Sequence, residues 1–234
     1  MWARLTLEIR LAQRDHFAAA SQGADFDASE KRAWLTTSLD PSGKVVGEFR
    51  TNPYAALGVA VDDAGNIWTL GVDYDARDHK ADYNVLREYD REGRLLTSTL
   101  PRSSFATRME PAVNVGGAAG PNFLRVHGQN IAAYVAQTQE WIEVSPGGRV
   151  ISRVKVQLPA QTGYPSTQPL VVAVTEDGSA FLQSAGFSLC RLDTASGACD
   201  AVSAPRESLL GAGGNDLMFY NPQLPTQVNW VHQQ

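Results

Sequence analysis

One eight-residue stretch decides the fold: Glu88-Tyr89-Asp90-Arg91-Glu92-Gly93-Arg94-Leu95. A short strand runs into an Asp/Gly turn and a second strand follows, which is the signature of a β-hairpin. Related stretches recur along the chain, and their glycines Gly43, Gly93, Gly148 and Gly197 are separated by 50, 55 and 49 residues. A repeat of this length, with four strands in each unit, is typical of a β-propeller.

A second turn signal lies between these hairpins and supplies the other two strands of each unit. In its best copy, residues 59–70, a Val/Ala run enters the turn Asp62-Asp63-Ala64-Gly65-Asn66 and an apolar run with Trp68 follows. Further copies span residues 123–134, 171–182 and, more weakly, 210–220. These apolar runs are short and rich in Val, Ile and aromatic residues, which favours strands over helices. The sequence therefore predicts an all-β fold of four-stranded antiparallel blades.

The chain is interpreted as one propeller domain over residues 1–234, divided into repeat units at about 32–54, 55–100, 120–158, 168–204 and 207–232. Residues 1–31 are poorly defined: residues 3–12 could supply one strand, and residues 13–30 read as a polar connection or a short helix. The first unit lacks clear inner strands and the last lacks clear outer strands. We predict about five blades, within a range of four to six. An open, incomplete ring is the alternative.

Composition limits the partners. The 234 residues are 43% hydrophobic and 19% charged, which is ordinary for a globular protein. The formal net charge of −5 argues against nucleic acid or an anionic membrane as the main partner, because both require a basic face. No stretch approaches the ~18 consecutive apolar residues of a membrane helix, so no membrane insertion is expected. We expect a monomer that binds a protein or a small molecule.

The two cysteines flank the fourth hairpin. Cys190 and Cys199 would face each other across antiparallel strands, within reach of a disulfide. Two small buried residues that merely lie opposite each other are the alternative. A disulfide implies an oxidising compartment. The N-terminus does not read as a secretory signal, because charges interrupt its apolar residues. The cysteines thus favour a natural start that lies upstream, in which case we expect a periplasmic or secreted protein; otherwise we expect a cytoplasmic one.

Residues 62–68 and 89–95 resemble the repeat motifs of the NHL-like and gluconolactonase-like six-bladed propellers. The resemblance spans about residues 32–200 and is closest over residues 32–100. It implies a propeller fold. The lactonase branch of this superfamily would also imply a divalent metal held by Glu, Asn and Asp in the central channel. No such set is assigned here, so no cofactor is expected, with Ca²⁺ or another divalent metal as the alternative.

Candidate ligand-binding residues lie in two places. The long charged loop of residues 72–83 contributes Asp73, Asp75, Asp78 and His79, where a plain hairpin would need only a few residues. His127 precedes a turn and could face the channel. The competing interpretations are a solvated loop and a histidine that is satisfied within its own turn. No catalytic set is predicted: the sequence holds no G-x-S-x-G motif and no H-x-x-x-H pair.

The leading functional hypothesis is a non-enzymatic propeller that binds a protein or small ligand through loops at the channel face. A metal-dependent, gluconolactonase-like hydrolase is the alternative. Four tryptophans fall in predicted strands, and we expect their rings to fill the space between adjacent blades, a sugar-stacking surface being the other interpretation. These are Trp34, Trp68, Trp141 and Trp230.

Overall fold

The computed structural model describes residues 17–23, 33–39, 44–108, 110–112, 123–159, 169–184, 187–203, 207–220 and 228–232. Their strands form five antiparallel sheets. Sheet 1 holds β1 (Phe17–Gly23), β2 (Ala33–Leu39) and β3 (Val45–Arg50); sheet 2 holds β4 (Tyr54–Val61), β5 (Ile67–Asp73), β6 (Asn84–Tyr89) and β7 (Leu95–Pro101). Sheet 3 holds β8 (Phe123–His127), β9 (Asn130–Val135), β10 (Glu140–Val144) and β11 (Val150–Lys155). Sheet 4 holds β12 (Pro169–Val174), β13 (Ala180–Ser184), β14 (Phe187–Leu192) and β15 (Cys199–Ala201); sheet 5 holds β16 (Ser208–Gly213), β17 (Asp216–Tyr220) and β18 (Val228–His232).

The sheets have the arrangement of a β-propeller, as the repeat predicts. Strands follow one another in sequence order within every sheet. The first strands of sheets 2 to 5 contact one another in succession, β4 to β8, β8 to β12 and β12 to β16, and β1 contacts β4. The predicted four-stranded antiparallel unit is thereby confirmed in sheets 2, 3 and 4, while sheets 1 and 5 have three described strands each.

Two local features differ from the prediction. Strand β1 (Phe17–Gly23) lies where a polar connection or short helix was predicted. Its sequence has no polar–apolar alternation, and its extended conformation comes from its antiparallel pairing with β2. A short helix, α1 (Tyr74–Asp78), occupies the predicted loop, with Asp73 as its N-cap residue. Residues 3–12, predicted to supply a strand, lie outside the described residues.

Each pair of neighbouring sheets encloses an apolar cluster. Trp68 and Ile142 share the cluster between sheets 2 and 3, and Trp141 and Leu182 share that between sheets 3 and 4. Smaller clusters join sheet 1 to sheet 2 and sheet 4 to sheet 5. Trp68 and Trp141 are buried, as predicted for rings between blades. The same prediction is wrong for Trp230, which is 56% exposed because no described sheet covers its face of sheet 5.

The repeated hairpin glycines also join the sheets to one another. A Cβ on Gly93 would lie 2.4 Å from Phe49 in β3, and a Cβ on Gly148 would lie 2.8 Å from Thr97 in β7. These glycines have φ of +82° and +87°, which residues with side chains rarely adopt. Each hairpin therefore packs against the outermost strand of the preceding sheet. Glycine is needed at this position because of its positive φ and because a side chain would collide with that strand.

The sheets have two distinct ends. Because each four-stranded sheet is an antiparallel meander, its first and third connections lie at one end and its second connection lies at the other. We call the first end the turn face; it carries the tight turns at residues 62–66, 90–94, 128–129, 145–149, 175–179 and 193–198. We call the other end the loop face; it carries α1 and the connection after β7. No helix among the described residues is long and apolar enough to span a membrane.

Candidate functional site

The structure separates the predicted ligand residues. Asp73, Asp75, Asp78 and His79 belong to the α1 segment at the loop face, whereas His127 ends β8 at the turn face. The four loop-face residues do not form one site with His127.

The acidic residues of the α1 segment are engaged locally. One oxygen of Asp73 accepts a hydrogen bond from the Ala76 amide at 3.1 Å, and the other pairs with Arg87 at 2.8 Å. Asp78 pairs with the exposed Arg77 at 2.9 Å. The ring of His79 lies 2.8 Å from the carbonyl of Asp75, one helical turn earlier. These contacts are those of a short capped helix.

His127 links two sheets and is satisfied at both nitrogens. Its Nδ1 lies 3.0 Å from Glu143 Oε1 in its own sheet, and its Nε2 lies 2.7 Å from the carbonyl of Gly178 in sheet 4. Two acceptors favour the imidazolium, which can donate from both nitrogens. The hydrogen bond to Glu143 raises the pKa of His127. Burial opposes ionisation of Glu143, but hydrogen bonds from His127 and Trp141 hold its pKa below the usual value.

The carbonyl of Gly178 that His127 holds lines an open cleft at the turn face of sheet 4. The cleft has a volume of about 500 Å³. Its walls come from the turn between β12 and β13, the hairpin between β14 and β15, and β15 itself. The lining residues are Asp177, Gly178, Ser179, Arg191, Leu192, Asp193, Thr194, Asp200 and Val202.

Two of the carboxylates in the cleft accept hydrogen bonds within their own turns, whereas Asp200 and Arg191 can still bind a ligand. Hydrogen bonds from Thr175 and from Ser179 lower the pKa of Asp177, and those from Ser196 and the Ala195 amide lower the pKa of Asp193. Both carboxylates therefore stabilise their own turns in the ionised form. The side chain of Asp200 makes no hydrogen bond or ion pair with the described residues. The guanidinium of the exposed Arg191 donates one hydrogen bond, at 2.8 Å, to Ser179 Oγ.

A disulfide fixes one wall of the cleft. Cys190 and Cys199 are joined, with their Cα atoms 5.4 Å apart. They immediately flank Arg191 and Asp200, which are direct partners across the β14–β15 pair. The side chains available to a ligand thus lie on a covalently closed hairpin, which restricts how far their backbones can separate.

The turn on the other side of the cleft is held from both neighbouring sheets. His127 binds it from sheet 3, as described. From sheet 5, the carbonyl of Gly214 accepts a hydrogen bond from the Glu176 amide at 2.8 Å, and Asn215 Oδ1 accepts one from the Asp177 amide at 3.0 Å. Both walls of the cleft are therefore held in place by neighbouring residues. A ligand can then bind with little loss of conformational entropy in the protein.

The cleft was not predicted from the sequence, and the ligand-binding role expected of His127 stays a prediction, because His127 supports the cleft without lining it. Register places Arg191 in sheet 4 where Glu88 lies in sheet 2 and Glu143 in sheet 3, and it places Asp200 opposite Arg191 where Thr97 lies opposite Glu88. At this one position of the third strand, sheet 4 therefore carries a positive charge where sheets 2 and 3 carry a negative one. Aligning the repeats on the residue before each hairpin turn would have shown this reversal.

Among the described residues, no group of three or more His, Cys, Asp or Glu side chains is placed to hold a metal ion. A metal centre is therefore not assigned to this part of the chain.

No protein-family model matches the chain. No curated protein matches it either. Similar solved structures include a protein of unknown function from Bacteroides caccae, with 12% identity, covering 92% of this chain and 71% of that chain, at a TM-score of 0.49. Virginiamycin B lyase from Staphylococcus aureus has 11% identity, with 97% and 83% covered and a TM-score of 0.46. The WD40 β-propeller domain of Doa1 has 10% identity, with 88% and 57% covered and a TM-score of 0.49. These similar structures thus include a lyase and a WD40 β-propeller domain.

Proposed function

We propose that this protein is a non-enzymatic β-propeller that binds a small polar ligand, or a polar segment of a protein, in the turn-face cleft of sheet 4. The observation that carries the proposal is an open cavity with rigid walls, lined by the Asp200 carboxylate and by Arg191, whose guanidinium has donors beyond the one bonded to Ser179. Arg191 offers guanidinium donors and Asp200 offers a carboxylate. A ligand with both an anionic or carbonyl group and a donor group would match them.

The choice of binding over catalysis rests on the chemistry of the lining residues. The nucleophile-and-base pairs that acyl or phosphoryl transfer requires are not found among the described residues that line the cleft, whose only hydroxyls belong to Ser179 and Thr194. His127 is directed to the Gly178 carbonyl and to Glu143, so it supports the wall of the cleft. We assign it a positioning role.

The cleft can be tested by thermal-shift measurements with amino acids, dicarboxylates and monosaccharides as probes. A binding probe should raise the melting temperature of the wild-type protein by mass action. The shift should disappear in Arg191→Ala and weaken in Asp200→Asn. Arg149→Ala, which removes an exposed arginine at the turn face outside the cleft, should leave the shift unchanged. A probe that shifts all these proteins equally would place the ligand elsewhere.

The rival function, a metal-dependent hydrolase of the gluconolactonase-like kind, makes a different prediction. Millimolar Ca²⁺ or Zn²⁺ should then raise the melting temperature, and lactones should be hydrolysed only with the metal present. Its motivation is the resemblance of residues 62–68 and 89–95 to that superfamily. A metal-dependent shift together with lactone turnover would favour the hydrolase over the binding module.

We also propose that the protein functions in an oxidising compartment. The disulfide between Cys190 and Cys199 motivates this, because such bonds persist outside the reducing cytosol. Thiol labelling of protein recovered from the cytosol and from the periplasm of an expression host tests it. Equal binding of a cleft ligand by oxidised and fully reduced protein would count against it.

A further inference from the structure

The cleft wall formed by the turn of residues 175–179 is attached to sheet 3 through a side chain that changes its charge near neutral pH. This attachment is the contact of 2.7 Å between His127 Nε2 and the Gly178 carbonyl. The attachments of the same turn to sheet 5 use the carbonyl of Gly214 and the side-chain amide of Asn215, and neither group titrates. A change in pH can therefore act on the first attachment and leave the other two in place.

His127 can satisfy both of its contacts only while it is protonated. Its Nδ1 lies 3.0 Å from Glu143 Oε1 and its Nε2 lies 2.7 Å from the Gly178 carbonyl, and both of these oxygens are acceptors. The imidazolium donates from both nitrogens, whereas a neutral imidazole donates from one nitrogen and presents a lone pair at the other. A lone pair this close to an acceptor oxygen is repelled by it. Loss of the proton therefore breaks one of the two contacts.

The contact that breaks is the one with Gly178. A hydrogen bond to a carboxylate is about twice as strong as one to a neutral carbonyl, so the remaining proton stays on Nδ1, facing Glu143. Trp141 Nε1 also donates to Glu143 Oε1, at 2.9 Å, which keeps the carboxylate in position. The lone pair of Nε2 then faces the Gly178 carbonyl and repels it from β8.

Glu143 has the main effect on the pKa of His127 among the charged residues of the elements packed around it. Its hydrogen bond raises this pKa, so the imidazolium prevails below the ordinary value of about 6.5 and is lost as the pH rises through the raised value. The His127 side chain is 18% exposed, so protons reach it from solvent. The other charged residues on these elements are Arg125 on the same face of β8, Glu176 and Asp177 in the turn, and Arg191, which donates to Ser179.

We infer that His127 makes ligand binding in the cleft depend on pH: the imidazolium keeps the Gly178 carbonyl in place on the cleft wall, and loss of the proton releases it. The inference rests on the function proposed above for the cleft. Because Gly178 lines the cleft, its displacement changes the shape of the binding surface. Affinity should therefore fall as the pH rises, by about two- to tenfold for the loss of one hydrogen bond. By linkage, a bound ligand favours the imidazolium in return.

The release of the turn can be measured without any ligand. The Ser179 amide shares a peptide group with the Gly178 carbonyl, so its NMR chemical shift reports the hydrogen bond of that carbonyl. The shift should titrate in the wild-type protein above about pH 6.5 and should not titrate in His127→Gln. Asp177 accepts a hydrogen bond from the same amide, but its pKa is lowered, so it stays ionised throughout this range.

The Ala195 amide on the opposite wall is the internal control for this titration. It donates to Asp193 at 2.9 Å, and the lowered pKa of Asp193 keeps that contact unchanged across the same range. The Ala195 shift should therefore stay constant while the Ser179 shift moves. A Ser179 shift that is constant in the wild-type protein, or that titrates equally in His127→Gln, would overturn the inference.

Glu143→Gln keeps the test decisive if His127→Gln folds poorly. This variant removes the carboxylate that raises the pKa of His127, so the midpoint of the Ser179 titration should move to lower pH. A merely structural role of His127 would not move this midpoint. An unchanged midpoint would therefore overturn the inference, because another group would then control the turn.

Binding is measured with glycine as the probe, because its carboxylate and its ammonium group match Arg191 and Asp200 and keep their charges near neutral pH. The Kd of glycine should rise with pH by about two- to tenfold in the wild-type protein and vary less in His127→Gln. An equal pH dependence in both proteins would overturn the inference and leave the proposed function standing. A titrating Ser179 shift without binding of glycine or any other probe named above would support the control of the turn by His127, and the proposed function alone would fail.

Discussion

Gly197 and the carbonyl oxygen of Lys155 approach so closely that no side chain fits between them. A Cβ on Gly197 would lie 2.1 Å from that oxygen. The same hairpin is fixed by a hydrogen bond of 2.7 Å from the Gln157 amide to the Gly197 carbonyl. Gly197 belongs to sheet 4 and Lys155 to sheet 3, so this backbone contact joins two sheets directly.

Gly197→Ala is expected to destabilise the protein through two separate effects. The φ of +80° is unfavourable for alanine by about 1–2 kcal/mol, and displacing the Lys155 backbone costs about 1–3 kcal/mol more. Denaturant unfolding measures the sum. Gly147→Ala is the control, because Gly147 has a φ of +83° but nothing within 4 Å of its Cβ position. Equal losses of unfolding free energy in the two variants would show that the contact between sheets contributes nothing to stability.

The contact between His127 and Glu143 should make stability depend on pH. The pKa of His127 is raised in the folded protein, so its contribution is fully present below the unfolded value of about 6.5. It is lost as the pH rises through the folded-state pKa. The difference in unfolding free energy between wild type and His127→Gln should therefore be largest below about pH 6.5 and shrink as the pH rises above it.

Glu143→Gln supplies the comparison for this pH dependence. Without the carboxylate the raised pKa of His127 loses its main cause, so the difference between Glu143→Gln and the Glu143→Gln/His127→Gln double variant should vary less with pH. An unchanged pH slope in Glu143→Gln would show that another group controls it.

Removing the disulfide should lower stability and impair the cleft together. Cys190 and Cys199 are nine residues apart, and closing a loop of this size is worth about 2–3 kcal/mol in the chain-entropy model. The Cys190→Ser/Cys199→Ser variant should lose about that amount in unfolding free energy and should bind a cleft ligand more weakly. Dithiothreitol should lower the unfolding free energy of the wild-type protein but not that of the double variant, which controls for other effects of the reductant.

Arg153 should stabilise the junction between sheets 2 and 3. It pairs with Glu140 at 2.8 Å, donates to the Ser104 carbonyl at 3.0 Å and lies 4.6 Å from the ring centroid of Phe105. Its replacement in Arg153→Ala should cost about 1.5–3 kcal/mol, the range for hydrogen bonds of charged groups. Arg149→Ala, an exposed arginine just before the same strand, should change the unfolding free energy by less than about 0.5 kcal/mol.

The repeat was predictable because its markers are local. Gly93, Gly148 and Gly197 follow a polar turn residue by three or four positions, and the apolar runs between them have the length and composition of strands. Their contacts with the preceding sheet were not predictable, since Gly197 meets Lys155 only after both sheets have formed. A turn glycine and a glycine packed against another backbone look identical in one sequence.

The cleft escaped prediction for a related reason. His127 meets Gly178 across 51 residues, and the Arg191–Asp200 pairing depends on the register of two strands that a hairpin of uncertain length connects. For Trp230 the local structure was predicted correctly but the burial was not. Its strand was predicted, but burial was inferred from residue type, and burial depends on which sheet lies beside it.

The two ends of the sheets should differ in how well they accept foreign sequence. A peptide grafted between Asp75 and Lys80 would replace a capped segment with no buried residue, and the strands beneath would keep their pairing. The same graft between Thr194 and Gly197 would push sheets 3 and 4 apart, because that hairpin already touches the backbone of the preceding sheet. The loop face should therefore tolerate inserted peptides, whereas insertions in the turn face should disrupt the contacts between sheets.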